Sequence, residues 1–241
     1  GIPGGRVLHD NVAVEFNCQP YSTAAEFSEG IHGILKEINT LLIDRASSSY
    51  KLVCGVGSAP FPENLLRHPE AQRFGCEPDF NAWTSMRNPS PTPEDVGSMR
   101  VIGGHVHIGM HGVNPLVDQW LGTFSGACAI IKLLDATLGQ YIAKLESESP
   151  AKDTFVQRRR YYGGAGAFRK KPYGVEYRTP SSIWLETKDK TERVFNIIAG
   201  VLSAAATQWP IDVGDIARRG NTLPMYEELI AQHCVSDDDV I

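Results

Sequence analysis

Apolar and polar residues repeat with two different periods along this chain, and the switches between them mark its elements. Over residues 10–17 (DNVAVEFN), Val12, Val14 and Phe16 fall on one side and Asn11, Ala13, Glu15 and Asn17 on the other. That period of two predicts a half-buried strand with one polar face. Thr23 and Glu26 make a capping box. The helix predicted behind it, over 23–43, carries Phe27, Ile31, Ile34, Leu35, Ile38 and Leu42 as its apolar stripe. Residues 51–55 (KLVCG) predict a second strand. From 58 to 99 the chain is rich in proline and glycine. That stretch is too long for an idle connection, so a functional loop region with short helical pieces is expected. Alternation returns over 101–109 (VIGGHVHIG), and Asn114-Pro115 sets an N-cap and a first helical proline. The helix this starts is predicted to reach Leu145 and to pack on the sheet. Residues 149–171 read as a polar connector with a basic cluster and a glycine-rich turn, and 173–179 as a further strand. A long helix over 188–208 is ended by Pro210, smaller helices follow, and the acidic run 236–239 reads as a solvated terminus.

Strands of one pattern separated by long helices predict a single α+β domain over 1–241, an antiparallel sheet with helices on one face and an open concave cleft on the other. A length of 241 residues, 42% of them hydrophobic, is enough to bury one substantial core. No apolar run reaches membrane-spanning length, so no membrane partner is expected. The net charge of −5 argues against broad binding of nucleic acid. Five scattered cysteines, none in a CxxC pair, read as reduced thiols.

Because the strand period is two, residues sharing a face can be read directly. His105 and His107 share one, Glu176 and Arg178 another, Glu15 and Asn17 a third. Each strand then has an apolar side for helices and a side bearing Glu, His or Arg. If the three are neighbours, one sheet face collects two carboxylates, two imidazoles and a guanidinium. Carboxylates with one imidazole suit Mg²⁺ or Mn²⁺, and arginine suits phosphate, which together describe a nucleotide–metal site. The competing reading is a row of solvated residues on an open sheet face. Arg158, Arg159, Arg160, Arg169, Lys170 and Lys171 surround the glycines at 163, 164 and 166. That cluster is either a phosphate-gripping loop or a solvated helix end followed by a turn, and it is not a Walker A motif. Asp79 and Asn81 are candidates to touch substrate, or belong to a packed loop; His111 reads as a turn residue. No nucleophile motif is present.

The runs GGRVLHDNVAVEFN, GCEPDFNAW, GGHVHIG and YYGGAGAFRKKPYGVEYRTPSSIW resemble the phage-borne carboxylate–amine ligases, type 2, of the glutamine synthetase/glutamate–cysteine ligase superfamily, roughly from Ile2 to Trp184. The resemblance implies a glutamine synthetase-like sheet whose concave face binds ATP and divalent ions. It assigns metal binding to Glu15, His105 and Glu176, and phosphate contacts to Arg178, Arg169, Arg160 and Lys171, with Arg178 and Arg169 catalytic. Asn17, Asp79, Asn81 and His107 become substrate-side candidates. It implies an amide-forming reaction through an acyl phosphate, with small-molecule or peptide carboxylates and amines as substrates. It also implies a place in the cytoplasm of an infected bacterial host, or association with a phage particle. One departure stands out: the family's first strand carries an acidic G-x-D-P-E-like motif, and nothing before His9 matches it. A segment absent from this sequence and a reduced metal site both account for that. The second would suit a non-catalytic virion or interaction protein that keeps the ligase fold.

Overall fold

The computed structural model describes residues 4–10, 12–45, 51–72, 79–110 and 114–207. His111, the Glu77-Pro78 part of CEPDF, Cys76, Cys234, and the helices and acidic run expected after Pro210 lie outside the described residues.

Strands β1 (Gly5–Asp10) and β2 (Ala13–Cys18) form an antiparallel two-stranded ribbon. Thr23 caps α1 (Ala24–Arg45), its Oγ1 accepting from the Glu26 amide at 3.3 Å. Residues 51–54 are not a strand. After α1 the chain next pairs at β3 (Ser58–Pro60), which joins β5 (Met99–Val101) in a second small sheet. Between them lie short helices α2 (Glu63–Leu66) and α3 (Pro93–Val96) and a 3₁₀ turn (Pro69–Gln72), the helical pieces expected there, and strand β4 (Phe80–Asn81), which was not expected.

The predicted 101–109 strand is two strands. Residues 102–105 leave the ladder and β6 covers Val106–Gly109. The predicted 114–145 helix is likewise broken. Asn114 caps α4 (Pro115–Gly122), as expected, by accepting from the Leu116 amide at 2.9 Å. Thr123 then ends that helix and caps α5 (Phe124–Leu134), taking the Gly126 amide at 3.2 Å. A cap oxygen competes with the helix backbone, and here the axis turns by 106°. A π-helical turn (Asp135–Gly139) leads into α6 (Gln140–Glu148). No single helix among the described residues is long and apolar enough to cross a membrane. The polar connector contains a helix, α7 (Lys152–Tyr161), and a strand, β7 (Ala167–Lys171). β8 (Gly174–Tyr177) and α8 (Lys188–Thr207) follow as predicted, with a 3₁₀ turn (Ser182–Leu185) between them.

The central sheet is four antiparallel strands in the order β4-β7-β8-β6. Its register sets Val106, Tyr177 and Phe168 side by side on one face, and His107, Glu176 and Arg169 side by side on the other. The first row is buried against Leu121, Ile130, Ile131 and Leu134 of α4 and α5 and against Val194 and Ile197 of α8. The apolar side was read correctly for Val106, Ile108, Val175 and Tyr177, all buried. It was not for Val14, which is 44% exposed: β2 pairs with β1 in its own ribbon and does not join the central sheet. α1 packs on α8, so it reaches the core through another helix. The whole is α+β, built of helices and small antiparallel sheets. Cys18, Cys54 and Cys128 are free thiols.

Candidate active site

Glu176 sits at the centre of the polar row. It is 3% exposed and has cations on several sides: Arg178 Nη1 in direct contact, Lys171 Nζ at 3.2 Å and Arg169 Nη1 at 3.8 Å. His105 Nδ1 adds a hydrogen bond at 3.2 Å. Burial works against the charge of this carboxylate, but the bond to His105 and the neighbouring positive charges win and hold it at about 2. The carboxylate is therefore ionised at any physiological pH. Burial moves the His105 imidazole the other way, down to about 4, so it is neutral.

Two tyrosines that sequence reasoning passed over complete the face. The Tyr162 hydroxyl lies 2.7 Å from His105 Nε2 and accepts from Arg178 Nη2. Tyr173 bonds His107 Nδ1 through its own hydroxyl. Their only signal was position, an aromatic at each end of the glycine-rich turn and β7. Arg178 is held on another side by Asp79, whose Oδ2 accepts from Nε at 3.2 Å, while Asn88 Nδ2 donates to Asp79 Oδ1 at 2.9 Å. Asp79 therefore orients Arg178. Arg169 is 8% exposed and its Nε, fully buried, has no hydrogen-bond partner among the described residues. An orphaned guanidinium donor is costly unless an anion meets it.

The other sequence candidates fall in different places. Glu15 is exposed on the ribbon and outside the central sheet. Its carboxyl is nevertheless raised, by partial burial first and then by Asp10 and Glu176, so it stands within the electrostatic reach of the cluster. Asn17 is exposed on the same ribbon. Asn81 spends its side chain on the loop, donating to Ala165 O at 3.2 Å and accepting from the amides of Trp83 and Thr84. Arg160 is exposed in the last turn of α7, with no hydrogen bond or ion pair to the cluster among the described residues. Arg158, by contrast, is fully buried, and burial pushes its guanidinium down to about 9. It donates to the carbonyls of Ile102, Arg178, Thr179 and Pro180 at 2.8–3.2 Å and so ties the end of β8 to the residues before His105. The basic cluster is thus divided: Arg158 is structural, and Arg169 and Lys171 face Glu176. The glycine-rich turn is tied down as well, Thr179 Oγ1 donating to Gly164 O at 3.0 Å.

A second polar cluster lies under the sheet. Asp135, in the π-helical turn, accepts from Tyr177 Oη and Trp83 Nε1, each at 2.6 Å, and Thr179 Oγ1, whose one hydrogen is shared with Gly164 O, lies 3.3 Å away. Burial raises its pKa while these donors oppose the shift.

Among the described residues no three His, Cys, Asp or Glu side chains converge. His105 and Glu176 are the pair that meet, with Glu15 nearby in the field. That is too little to hold a resident cation alone. It does suit Mg²⁺, which is commonly held by one or two carboxylates together with substrate phosphates and water.

Fold and face thus define an α+β protein whose central sheet carries a cluster of cationic side chains around one buried carboxylate. Residues 96–210 match the family model described as Phage phiEco32-like COOH.NH2 ligase-type 2. The resemblance carried by GGHVHIG and by YYGGAGAFRKKPYGVEYRTPSSIW is therefore confirmed over that segment, which is a little under half of the chain. It contains His105, His107, Arg169, Lys171, Glu176 and Arg178; Glu15, Asn17, Asp79 and Asn81 lie outside it. No curated protein and no solved structure matches the chain.

Proposed function

We propose that this chain is an ATP-dependent carboxylate–amine ligase that joins the two groups as an amide through an acyl phosphate. The observation that carries the reading is the convergence of Arg169, Lys171 and Arg178 on one sheet face, with a buried Arg169 donor awaiting an acceptor. That is the chemistry of phosphate recognition. The family match supports ligation as the reaction. The carboxylate oxygen attacks the γ-phosphorus of ATP, the bond to the β-phosphate oxygen breaks, and ADP leaves. The amine then attacks the acyl carbon, phosphate departs, and the nitrogen loses a proton. Arg178, fixed by Asp79 and Tyr162, and Arg169 would neutralise charge on the transferring group. Glu176 and Glu15 would hold Mg²⁺ or Mn²⁺. When bound, such an ion supplies further charge neutralisation on the phosphate oxygens.

The test is calorimetric titration of ATP with and without Mg²⁺. Wild type binds more tightly with the metal, and Glu176→Gln loses that metal-dependent gain, about tenfold. Glu15→Gln loses less. Arg178→Lys weakens binding with or without Mg²⁺, because a point charge replaces the planar fork. Equal ATP affinity for wild type and Glu176→Gln in both conditions overturns the metal–nucleotide role. One observation favours a second reading, a non-catalytic virion or interaction protein: fewer than three metal-type side chains converge among the described residues. Complete absence of ATP binding would select it.

A further inference from the structure

The hydrogen bonds around His105 leave little freedom for its proton. Its Nδ1 faces Glu176 Oε1 at 3.2 Å, and an ionised carboxylate only accepts, so Nδ1 must carry hydrogen. Its Nε2 faces the Tyr162 hydroxyl at 2.7 Å. That hydroxyl already accepts from Arg178, which has no lone pair to offer, so its own hydrogen is free to point at Nε2. Both ends of the ring agree on one form: Nδ1–H donating to Glu176, Nε2 accepting from Tyr162.

Tyr162 is itself firmly placed. Its amide donates to Arg158 O at 2.8 Å and closes α7. The guanidinium carbons of Arg178 and Arg158 lie 4.8 and 5.3 Å from its ring centroid, and the His105 ring lies 5.6 Å away. The chain turns away immediately at Gly163 (φ +65°), where a Cβ would come within 2.3 Å of the Arg158 guanidinium. Gly103 does the same for the imidazole: a Cβ there would stand 2.5 Å from His105 Nε2.

From this arrangement we propose that Tyr162 is a positioning residue of the site, locking His105 as the Nδ1–H donor that orients Glu176 and holding Arg178 toward the bound anion. His105 then acts through Glu176. The role of Arg178 here rests on the phosphate-binding reading given above; the state of the imidazole does not.

Two measurements on the full chain test it. Long-range proton–nitrogen correlation on ¹⁵N-histidine protein at pH 8.5 gives the His105 tautomer directly. The Nδ1-protonated form is expected in wild type. In Tyr162→Phe the Nε2 signal moves toward that of an unbonded imine nitrogen, with the thermal unfolding midpoint retained. In parallel, inorganic triphosphate titrated in EDTA binds Tyr162→Phe about tenfold more weakly than wild type, the loss expected from one charge-assisted bond. An Nε2-protonated ring in wild type, or an Nε2 signal unmoved by Tyr162→Phe, overturns the proposal. If wild type binds no triphosphate, the phosphate-site reading fails and the Arg178 half of the proposal with it, while the imidazole signals still decide the His105 half.

Discussion

The β1–β2 ribbon and the central sheet carry the same alternation but are buried to different extents, the ribbon meeting the core only through Phe16 and Cys18 among the residues of β2. In the ribbon Val7, Leu8 and Val14 are 39%, 46% and 44% exposed; in the sheet Val175 and Tyr177 are completely buried. Strand sequence is not the difference, since AVEF and GVEY share one pattern, an acidic residue flanked by apolar ones. The difference is what lies beneath. α4, α5 and α8 cover the underside of the central sheet, and Asp135 takes the Tyr177 hydroxyl. Alternation reports that a strand is able to bury one side; a helix layer has to be there to do it. The polar sides differ in the same way. Glu176 lies between two other strands and is flanked in register by His107 and Arg169. Glu15 has one partner strand and stands opposite Leu8.

This contrast can be broken at three points. The largest effect is expected at Arg158, which has no counterpart in the ribbon. Arg158→Met leaves four carbonyls without their buried donor and should cost on the order of 3–5 kcal/mol in urea unfolding. A loss under about 1 kcal/mol would mean that the end of β8 is held by something else. Next comes a matched pair. Ile108→Ala, at 5% exposure, should lose about 2–5 kcal/mol, while Val14→Ala should stay within about 0.5 kcal/mol. Similar losses at both would show that the ribbon is covered in solution. The smallest effect is in acid. His105 is held at about 4 against an ordinary 6.5, so below 6.5 the unfolded chain takes up a proton the folded chain refuses. Stability therefore falls as pH drops through that range, and Glu176, held at about 2 against 4.5, extends the fall further down. His105→Gln should flatten the upper part of the curve and also shrink the lower part, because it removes the bond that helps hold Glu176 down, as read by thermal unfolding across pH 7 to 3.

Much of the scaffold was legible because it depends on neighbours in sequence. The Thr23 and Asn114 caps, α1, α8 and the apolar faces of β6 and β8 follow from side chains one helical turn or one strand step apart. The break at Thr123 was masked by an apolar pattern that runs straight through it. β7 was masked by charges at Arg169, Lys170 and Lys171, which read as part of a connector, either a phosphate-gripping loop or a solvated helix end, and not as a strand. HxH and ExR named the faces of two strands from the period of two alone. Which residue stands opposite Glu176 is a matter of register between strands distant in sequence, and no local period encodes it. The same holds for Tyr162 and Arg158. Their roles exist only because α7 folds back to bring a hydroxyl to His105 and a guanidinium to four carbonyls. The sequence by itself determined the elements and the chemistry each could offer; packing decided which of those groups meet, because burial and pairing energies depend on distance in space and not along the chain.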